Sequence, residues 1–339
     1  MLYGITAAAT ALLLTALLAA ALRAPALRLR LVERRRQRDV PLSGGVAVVL
    51  VTGLVAGGGE WLGLVPPGDG THGVLAAAGA VALLGLAGDV WRLRRRVLAA
   101  GTGVAAACVV PFGETGVGPG LLAVGWVVAV VAGFRGLDHA DGLAGTVGVV
   151  TAFGVAACAA VGMMDGLAGL MSVLAAALTG LLLHNWHPAR VALGGCGSMA
   201  AGFVIAVGAV YSRAGFEVVE SAGVLFGLTA VPAADAVLVL VTRKSAGRGL
   251  ARGGPDHLAH RLRRLGLTAP AACLLLGAGA LSGMLVGVLA HAGRIGAGAL
   301  WWVAGGALVV VLALFRVPVY APRRSVSTQV NASLRVRSG

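Results

Sequence analysis

The sequence predicts an all-α integral membrane protein with about ten or eleven transmembrane helices. Of its 339 residues, 58% are hydrophobic and only 12% are charged, whereas a soluble domain carries about 25% charged residues. The mean hydropathy is +0.91, and apolar runs close to the roughly 20 residues that span a bilayer recur along the chain. Because these runs do not alternate with polar residues, a transmembrane β-barrel is excluded, together with a soluble enzyme and a disulfide scaffold.

Eleven apolar runs predict the membrane helices, and together they make one domain, residues 1–322. The first run is followed directly by arginines and has no basic residues before it, which favours a retained helix over a removed signal peptide. Residues 323–339 are expected to form a short basic tail. The predicted runs are 2–22, 44–65, 73–88, 97–111, 119–134, 144–161, 166–183, 198–212, 223–242, 269–291 and 298–315.

The basic residues assign each loop to one side of the membrane. If the N-terminus is outside, only Arg213 and Arg294 of the 27 basic residues fall in outer loops. This split satisfies the positive-inside rule, so we expect a multi-pass protein of the cell membrane with a cytoplasmic C-terminal tail. The net charge is +14, but its short clusters between apolar runs indicate contact with the bilayer and no nucleic-acid partner.

Polar residues collect in the inner loops, which predicts an active-site cleft on the cytoplasmic side. The first such loop contains a basic run with Arg38, followed by Pro41 and by Gly44-Gly45. Guanidinium groups bind phosphate in a bidentate fork. Taken alone, however, this run is better explained as an anchor at anionic headgroups.

Two further loops carry aspartates. Asp89 ends the third run and precedes Arg92 and Arg96, an order that suits a metal–diphosphate site or a helix-end ion pair. Asp138 and Asp141 would share a face if their backbone is helical, and like charges that close require a cation or a polar substrate. Capping of the next helix by Asp141 is the alternative.

The remaining polar candidates are an amide, two histidines and a carboxylate within the ninth run. Asn185 lies in a loop that also contains Pro188. His257 and His260 could form a ligand pair or an anion clamp, and two solvated histidines are the alternative. We expect their loop to form a structured arm that covers the cleft together with Arg248, Arg252 and Arg261. Asp235 lies within a membrane run, where a carboxylate is costly and is usually functional or paired.

Taken in order, these strings resemble the motifs of the polyprenyl-phosphate N-acetylhexosamine-1-phosphate transferases, from about residue 34 to residue 266. That superfamily includes phospho-N-acetylmuramoyl-pentapeptide transferase and undecaprenyl-phosphate N-acetylglucosamine-1-phosphate transferase. The matching residues are Pro41, Gly44, Gly45, Asp89, Asp138, Asp141, Gly142, Leu143, Ala144, Asn185, Pro188, Ala189, Gly197, Ser198, Pro232, Asp235, Asp256, His257 and His260.

The resemblance implies a membrane enzyme that transfers a sugar 1-phosphate from a UDP-sugar to a polyprenyl phosphate, with Mg²⁺ as cofactor and UMP as product. Asp89 and Asp138 would be the catalytic residues and the metal ligands. A homodimer is left open. The substrate-binding residues would be Arg38, Arg92, Arg96, Asp141, Asn185, His257 and His260.

Four positions depart from the family pattern. Gly88 and Gly195 replace aspartates, Arg135 replaces an asparagine and His139 replaces a glycine. By the resemblance, the aspartate missing at Gly195 is a principal Mg²⁺ ligand, so we expect Gly195→Asp to raise Mg²⁺ affinity.

The departures leave two alternatives to an active transferase. One is a catalytically weak or inactive homologue that binds a nucleotide or a lipid phosphate, or that partners with an active enzyme. The other is a transporter or flippase, which is disfavoured because the sequence has no internal repeat. Convergence of Asp89, Asp138 and Asp141 in one cleft would support both an active transferase and a homologue that only binds the ligand.

Overall fold

The computed structural model describes residues 2–34, 39–63, 70–247 and 256–320, together with Gly249 and Gly254. Within these residues the chain forms fifteen helices and one two-stranded hairpin. The elements are α1 (Leu2–Ala21), α2 (Arg23–Arg28), β1 (Val32–Arg34), β2 (Asp39–Pro41), α3 (Gly44–Trp61), α4 (Thr71–Trp91), α5 (Arg95–Val109), α6 (Phe112–Thr115), α7 (Val117–Leu137), α8 (Leu143–Val161), α9 (Asp165–Asn185), α10 (Gly194–Ser212), α11 (Val218–Leu228), α12 (Ala230–Ser245), α13 (Leu258–Arg264), α14 (Ala269–His291) and α15 (Ala299–Phe315).

The predicted fold class is confirmed, because each of the eleven apolar runs coincides with a helix or a helix pair. In the described part of the chain, seven helices are long and apolar enough to cross a membrane, or eight if α11 and α12 make one span. The helices α3 and α15 are apolar but shorter, and α5 has 15 residues. The predicted tail, residues 323–339, lies outside the described residues.

The ninth run differs from the prediction of one continuous helix. The helices α11 and α12 meet at an angle of 87°. Pro232 explains the break: a helix continued through this point would need its backbone N–H to bond Leu228, and proline has none. In the first turn of α12 the missing N–H loses no hydrogen bond, because backbone N–H groups there have no acceptor within the helix. The bend lays α12 against α7, where Gly133 approaches Pro232 so closely that a Cβ on the glycine would be 2.9 Å from the ring.

The helix α10 forms the centre of the bundle, and 94% of its 18-residue apolar stretch is buried. Small residues allow its neighbours to approach closely, as is common for helices in membranes. A Cβ on Gly45 of α3 would lie 2.3 Å from the backbone nitrogen of Gly197, and one on Gly85 of α4 would lie 2.2 Å from the carbonyl oxygen of Gly195. These contacts bring the end of α4 beside the start of α10.

The hairpin of β1 and β2 was not predicted. Its antiparallel register pairs Val32 with Pro41 and Glu33 with Val40. The Pro41 carbonyl accepts a hydrogen bond from the backbone nitrogen of Ala192 at 2.9 Å. The hairpin is thereby attached to the loop that precedes α10.

Contacts between helix ends separate two faces of the bundle. At one face, Asp89 at the end of α4 bonds Arg135 near the end of α7 and Gly195 at the start of α10. At the other face, Tyr211 near the end of α10 donates to the carbonyl of Val109 at the end of α5. These contacts agree with the predicted alternation for α4, α5, α7 and α10, and the full threading of eleven helices and its orientation in the cell remain predictions.

Packing at Gly85 provides a test of the α4–α10 contact. We expect Gly85→Ala to destabilise the protein by about 1–3 kcal/mol, because the new methyl group would overlap the Gly195 carbonyl and overpacking costs this much. Gly79→Ala on the same helix is the matched control, since nothing lies within 4 Å of its added Cβ. Thermal unfolding in detergent measures both variants. Equal melting temperatures for Gly85→Ala and the wild type would contradict the close approach.

Sidedness can be tested by placing single cysteines at the two faces. We expect Ser245→Cys to resist a membrane-impermeant maleimide in intact cells, because the positive-inside rule places the end of α12 in the cytoplasm. Met163→Cys, which follows α8 at the opposite face, should react. The four native cysteines are first replaced with alanine, and lysed cells serve as the labelling control. The reverse pattern would overturn the predicted orientation.

Candidate active site

The ends of α4 and α7, the start of α10 and the β1–β2 hairpin enclose a cleft of about 350 Å³, which we name the polar cleft. Both predicted catalytic residues, Asp89 and Asp138, line it, and so does Arg92. The complete lining is Val32, Glu33, Leu42, Asp89, Arg92, Arg135, Asp138, His139, Gly194 and Gly195.

Asp89 is held by two donors from different helices. Its Oδ1 accepts a hydrogen bond from Arg135 Nη2 at 2.9 Å, and its Oδ2 accepts one from the backbone nitrogen of Gly195 at 2.6 Å. The Asp89 side chain is only 13% exposed, and charge-assisted bonds of this kind are the strong ones. Asp89 is thus part of an ion pair, but its partner is Arg135 of α7 and not one of the arginines that follow it in the sequence, with which a helix-end ion pair was considered.

The guanidinium of Arg135 occupies the space beside the two glycines that replace family aspartates. A Cβ on Gly195 would lie 1.9 Å from Arg135 Nη1 and 2.6 Å from Asp89 Oδ1. A Cβ on Gly88 would lie 3.6 Å from Arg135 Nη2. An aspartate at position 195 therefore requires the side chains of Arg135 and Asp89 to shift, so the gain of Mg²⁺ affinity expected from Gly195→Asp, which stays a prediction, depends on displacing the guanidinium.

Asp141 supports a neighbouring loop. Its Oδ2 accepts hydrogen bonds from His187 Nδ1 at 2.8 Å and from the backbone nitrogen of Ala189 at 3.1 Å. The backbone between α7 and α8 forms turns, so the expected shared helix face with Asp138 is wrong. The capping alternative is also wrong, because Gly142 is the N-cap residue of α8. Asp141 does not line the polar cleft, and the expected convergence of three aspartates holds for two of them.

Asn185 joins the same two loops from inside the protein. Its Oδ1 accepts from the backbone nitrogen of Gly142 at 3.1 Å, and its Nδ2 donates to the Val191 carbonyl at 2.8 Å. The residue is only 3% exposed. Both polar atoms of its amide are thus engaged with backbone, and nucleotide contact by Asn185 stays a prediction.

A second cavity of about 380 Å³ lies between α5, α7 and α12, and we name it the apolar cavity. Its walls include Leu98, Val131 and Val239, and its basic residues are Arg95, Arg135 and Arg243. Arg135 and His139 line both this cavity and the polar cleft. These two side chains therefore stand where the two spaces meet.

The predicted structured arm is confirmed for residues 256–264. Asp235 fixes it, since its Oδ2 is 2.7 Å from His257 Nδ1 and its Oδ1 accepts from the backbone nitrogen of Leu258 at 2.7 Å. The intramembrane carboxylate is thus paired, as expected. Arg261, predicted to cover the cleft, is instead fully buried and donates to the carbonyl of Leu314 at 2.6 Å. It attaches the arm to the end of α15.

Three histidine rings lie together beside Asp235, with His139 stacked on His257 and tilted against His260. The ring centroid of His139 lies 4.2 Å from that of His257 and 4.5 Å from that of His260. Burial lowers the pKa of His139 to about 3, assisted by the charge of His257, and burial also lowers the pKa of His260. His139 is consequently uncharged at neutral pH, and it can bind a polar ligand by hydrogen bonding but not as a cation.

The buried pair of Arg243 and Asp256 closes the arm. Arg243 Nε donates to Asp256 Oδ2 at 2.5 Å. Burial alone would raise the pKa of Asp256, but the hydrogen bond and the charge of Arg243 outweigh it and lower the pKa. Arg243 is held by this carboxylate while it lines the apolar cavity.

The other predicted basic residues have mixed positions. Arg96 is exposed at the start of α5 and is not among the side chains lining either space. Arg38, Arg248 and Arg252 lie outside the described residues. Sequence reasoning did not nominate Arg135, His139 or Arg243 as site residues, although Arg135 and His139 already stood out as departures from the family motif.

The hydrogen bonds of Asp89 act against its use as a ligand for the Mg²⁺ that the resemblance implies. Among the side chains that the structure describes, no group of three or more His, Cys, Asp or Glu residues converges on a point that could hold a metal ion. Mg²⁺ requires near-octahedral oxygen coordination, whereas both oxygens of Asp89 accept hydrogen bonds from nitrogen donors. No step proposed below therefore runs through a metal.

In this helical membrane protein a polar cleft lined by arginines and carboxylates adjoins an apolar cavity. The profile of glycosyl transferase family 4 matches residues 71–213, a range that contains Asp89, Arg135 and Asp138. A Streptomyces coelicolor protein named as a glycosyltransferase is 66% identical over 328 residues, which are 96% of this chain and 80% of the relative. The chain belongs to glycosyl transferase family 4, and the resemblance inferred from its motifs is confirmed.

Two further relatives carry more specific names. The decaprenyl-phosphate N-acetylglucosaminephosphotransferase of Mycolicibacterium smegmatis is 27% identical over 321 residues, which are 81% of this chain and 78% of the relative. The phospho-N-acetylmuramoyl-pentapeptide-transferase of Desulforamulus reducens is 34% identical over 126 residues, 36% of each chain.

Acid should weaken the histidine cluster. The pKa of His139 is about 3 in the folded protein, below its unfolded value of 6.5. The unfolded chain therefore binds a proton here more readily, so the contribution of His139 to the free energy of unfolding is fully present above pH 6.5 and is lost as the pH falls towards 3. We expect the melting temperature in detergent to fall across this range, and to fall less in His139→Gln. His72→Gln, an exposed position on α4, is the control. Equal acid sensitivity of His139→Gln and the wild type would contradict this assignment.

Proposed function

We propose that this protein transfers a sugar 1-phosphate from a UDP-N-acetylhexosamine to a polyprenyl phosphate, as a step in bacterial cell-wall or envelope glycan synthesis. The observation that carries the proposal is the junction of the polar cleft with the apolar cavity at Arg135 and His139. Membership in glycosyl transferase family 4 supports the reaction class. The mycobacterial relative, named for decaprenyl phosphate and N-acetylglucosamine phosphate, supports the substrate pair.

The apolar cavity suits the polyprenyl phosphate. Aliphatic side chains of α5, α7 and α12 form its walls, and they would hold the first isoprene units. Arg95 and Arg243 line the same cavity, and guanidinium groups recognise phosphate by bidentate hydrogen bonds. A lipid phosphate would therefore lie with its charge at the arginines and its chain towards the bilayer.

The polar cleft suits the diphosphate of the nucleotide sugar. Arg92 and Arg135 supply positive charge, and the β1–β2 hairpin covers one side. A donor bound here would bring its sugar-bearing phosphorus to the junction. His139 is uncharged and could orient a phosphate or sugar oxygen by a hydrogen bond.

The reaction would be one displacement at phosphorus. An oxygen of the lipid phosphate forms a bond to the phosphorus that carries the sugar, the bond from that phosphorus to the bridging oxygen breaks, and UMP leaves with the electron pair. Positioning and charge neutralisation are the main contributions to phosphoryl transfer. Arg135 would neutralise the developing charge, Asp89 would position Arg135, and Asp138 would accept the proton of a singly ionised lipid phosphate.

Binding without transfer is the second candidate function. The observation in its favour is that both carboxylate oxygens of Asp89, one of the two predicted catalytic residues, accept hydrogen bonds from Arg135 and Gly195. Such a homologue would hold a lipid phosphate or nucleotide, or would support an active partner enzyme.

A transfer assay with purified protein, polyprenyl phosphate and radiolabelled UDP-N-acetylhexosamine separates these functions. We expect labelled lipid product from the wild type and at least an about 100-fold loss in Asp138→Asn, the loss expected when an acid–base group is removed. Asp165→Asn is the matched control, because Asp165 is an exposed carboxylate in the first turn of α9, at the opposite face. Lipid-phosphate binding without any labelled product would favour the second candidate.

A further inference from the structure

Arg135 makes an unusual set of contacts for a side chain in an anion-binding cleft. Its Nη2 donates to Asp89 Oδ1 at 2.9 Å, and its Nη1 lies 3.5 Å from the sulfur of Met199. A thioether is a weak acceptor, and a guanidinium carries five N–H donors. With a side chain 30% exposed, Arg135 therefore keeps donor capacity towards the two spaces that it lines.

We infer that Arg135 is a built-in cation that takes the place of a divalent metal, so that the polar cleft binds phosphate groups without Mg²⁺. The guanidinium fills the position where an aspartate side chain would start from residue 195, and it also lies beside Gly88. It engages the one carboxylate, Asp89, that remains between these glycines. Arg135 thus combines two properties of a bound metal, a fixed positive charge and contact with the carboxylate.

Charge and geometry both act against a divalent ion here. Relative to the family motif, Gly88 and Gly195 remove two negative charges and Arg135 adds a positive one. Glu33 and Asp138 still line the cleft, but a divalent ion at Asp89 would lie beside the guanidinium, and like charges repel at short range. The backbone nitrogen of Gly195, 2.6 Å from Asp89 Oδ2, occupies the remaining carboxylate oxygen. A metal would have to displace the guanidinium before it could reach Asp89.

The same arrangement favours an anion. A diphosphate brings negative oxygens that the planar guanidinium can bind in a bidentate way, and Arg92 lines the same cleft. Asp89 holds Arg135 in place, which lowers the conformational cost of binding. The inference rests on the proposed function only in assigning this anion to the diphosphate of the donor.

Inorganic pyrophosphate and Mn²⁺ are suitable probes for the full-length protein in detergent. We expect calorimetry in EDTA to show pyrophosphate binding, since Arg135 supplies the charge that a metal would provide. Electron paramagnetic resonance should show no stoichiometric Mn²⁺ bound to the wild type. Loss of pyrophosphate binding in EDTA, or one tightly bound Mn²⁺ per chain, would overturn the inference without any variant being made.

Variants test the role of Arg135 directly. Arg135→Gln should weaken pyrophosphate binding about tenfold, a loss in the range for a charged hydrogen bond. Arg190→Gln, exposed in the loop before α10, should leave it unchanged. The double variant Arg135→Asn with Gly195→Asp should gain Mn²⁺ binding and make pyrophosphate binding metal-dependent, whereas Gly195→Asp alone should gain none. Mn²⁺ binding by that single variant would contradict the replacement.

The binding measurements also separate this inference from the proposed function. A wild-type protein that binds pyrophosphate in EDTA but transfers no sugar phosphate would contradict the proposed function and support the inference. A protein that transfers sugar phosphate only when Mg²⁺ is bound would support the proposed function and overturn the inference.

Discussion

The bond between Asp89 and Arg135 is the interaction on which the rest of the site depends. It joins the end of α4 to the end of α7, and the second oxygen of Asp89 ties both to the start of α10 through Gly195. The pair is partly buried, so removing one partner would leave an uncompensated charge and would cost more than the pair itself contributes. The close packing of Gly85 against Gly195 brings the three helix ends within hydrogen-bonding distance. Helix packing in the bundle therefore determines the electrostatics of the cleft.

Other polar residues at this face hold loops in place. Asp141 bonds the backbone of Ala189, Asn185 bonds the backbone of Gly142, and Asp235 bonds the backbone of Leu258. Irregular backbone near a membrane needs internal partners, because lipid offers none. Some residues of the family motif that suggest ligands in the sequence therefore fix the loop backbone in this chain. The consequence is that Asp141, Asn185 and Asp235 are engaged with protein groups, and the carboxylates that line the polar cleft are Glu33, Asp89 and Asp138.

Much of the fold could be predicted from the sequence, because burial in lipid requires long apolar runs and each run became a helix. The break before Pro232 was missed, since proline is also tolerated within membrane helices when neighbours satisfy the freed carbonyl. The hairpin at Val32 was missed because three-residue strands between basic residues have no detectable period. For the site, the motif spacing correctly placed Asp89 and Asp138 in one cleft. The use of Asp141 as an anchor depends on a contact 48 residues along the chain at Ala189, which sequence spacing does not reveal.

The departures from the family motif at Gly88, Arg135 and Gly195 are physically coupled, because the side chain of Arg135 lies beside both glycines. An aspartate at position 195 would collide with Arg135, while an asparagine at position 135 beside Gly88 and Gly195 would leave Asp89 without a cation. Restoring the family residue at only one of these two positions is therefore unfavourable. The free-energy effects of substitutions at residues in direct contact are generally not additive. Such coupling argues that the glycines are compatible with a working anion site because Arg135 accompanies them. The loss of carboxylates consequently indicates a change in the source of positive charge, from an exchangeable ion to a side chain, and is not by itself a sign that the cleft has lost its ligand.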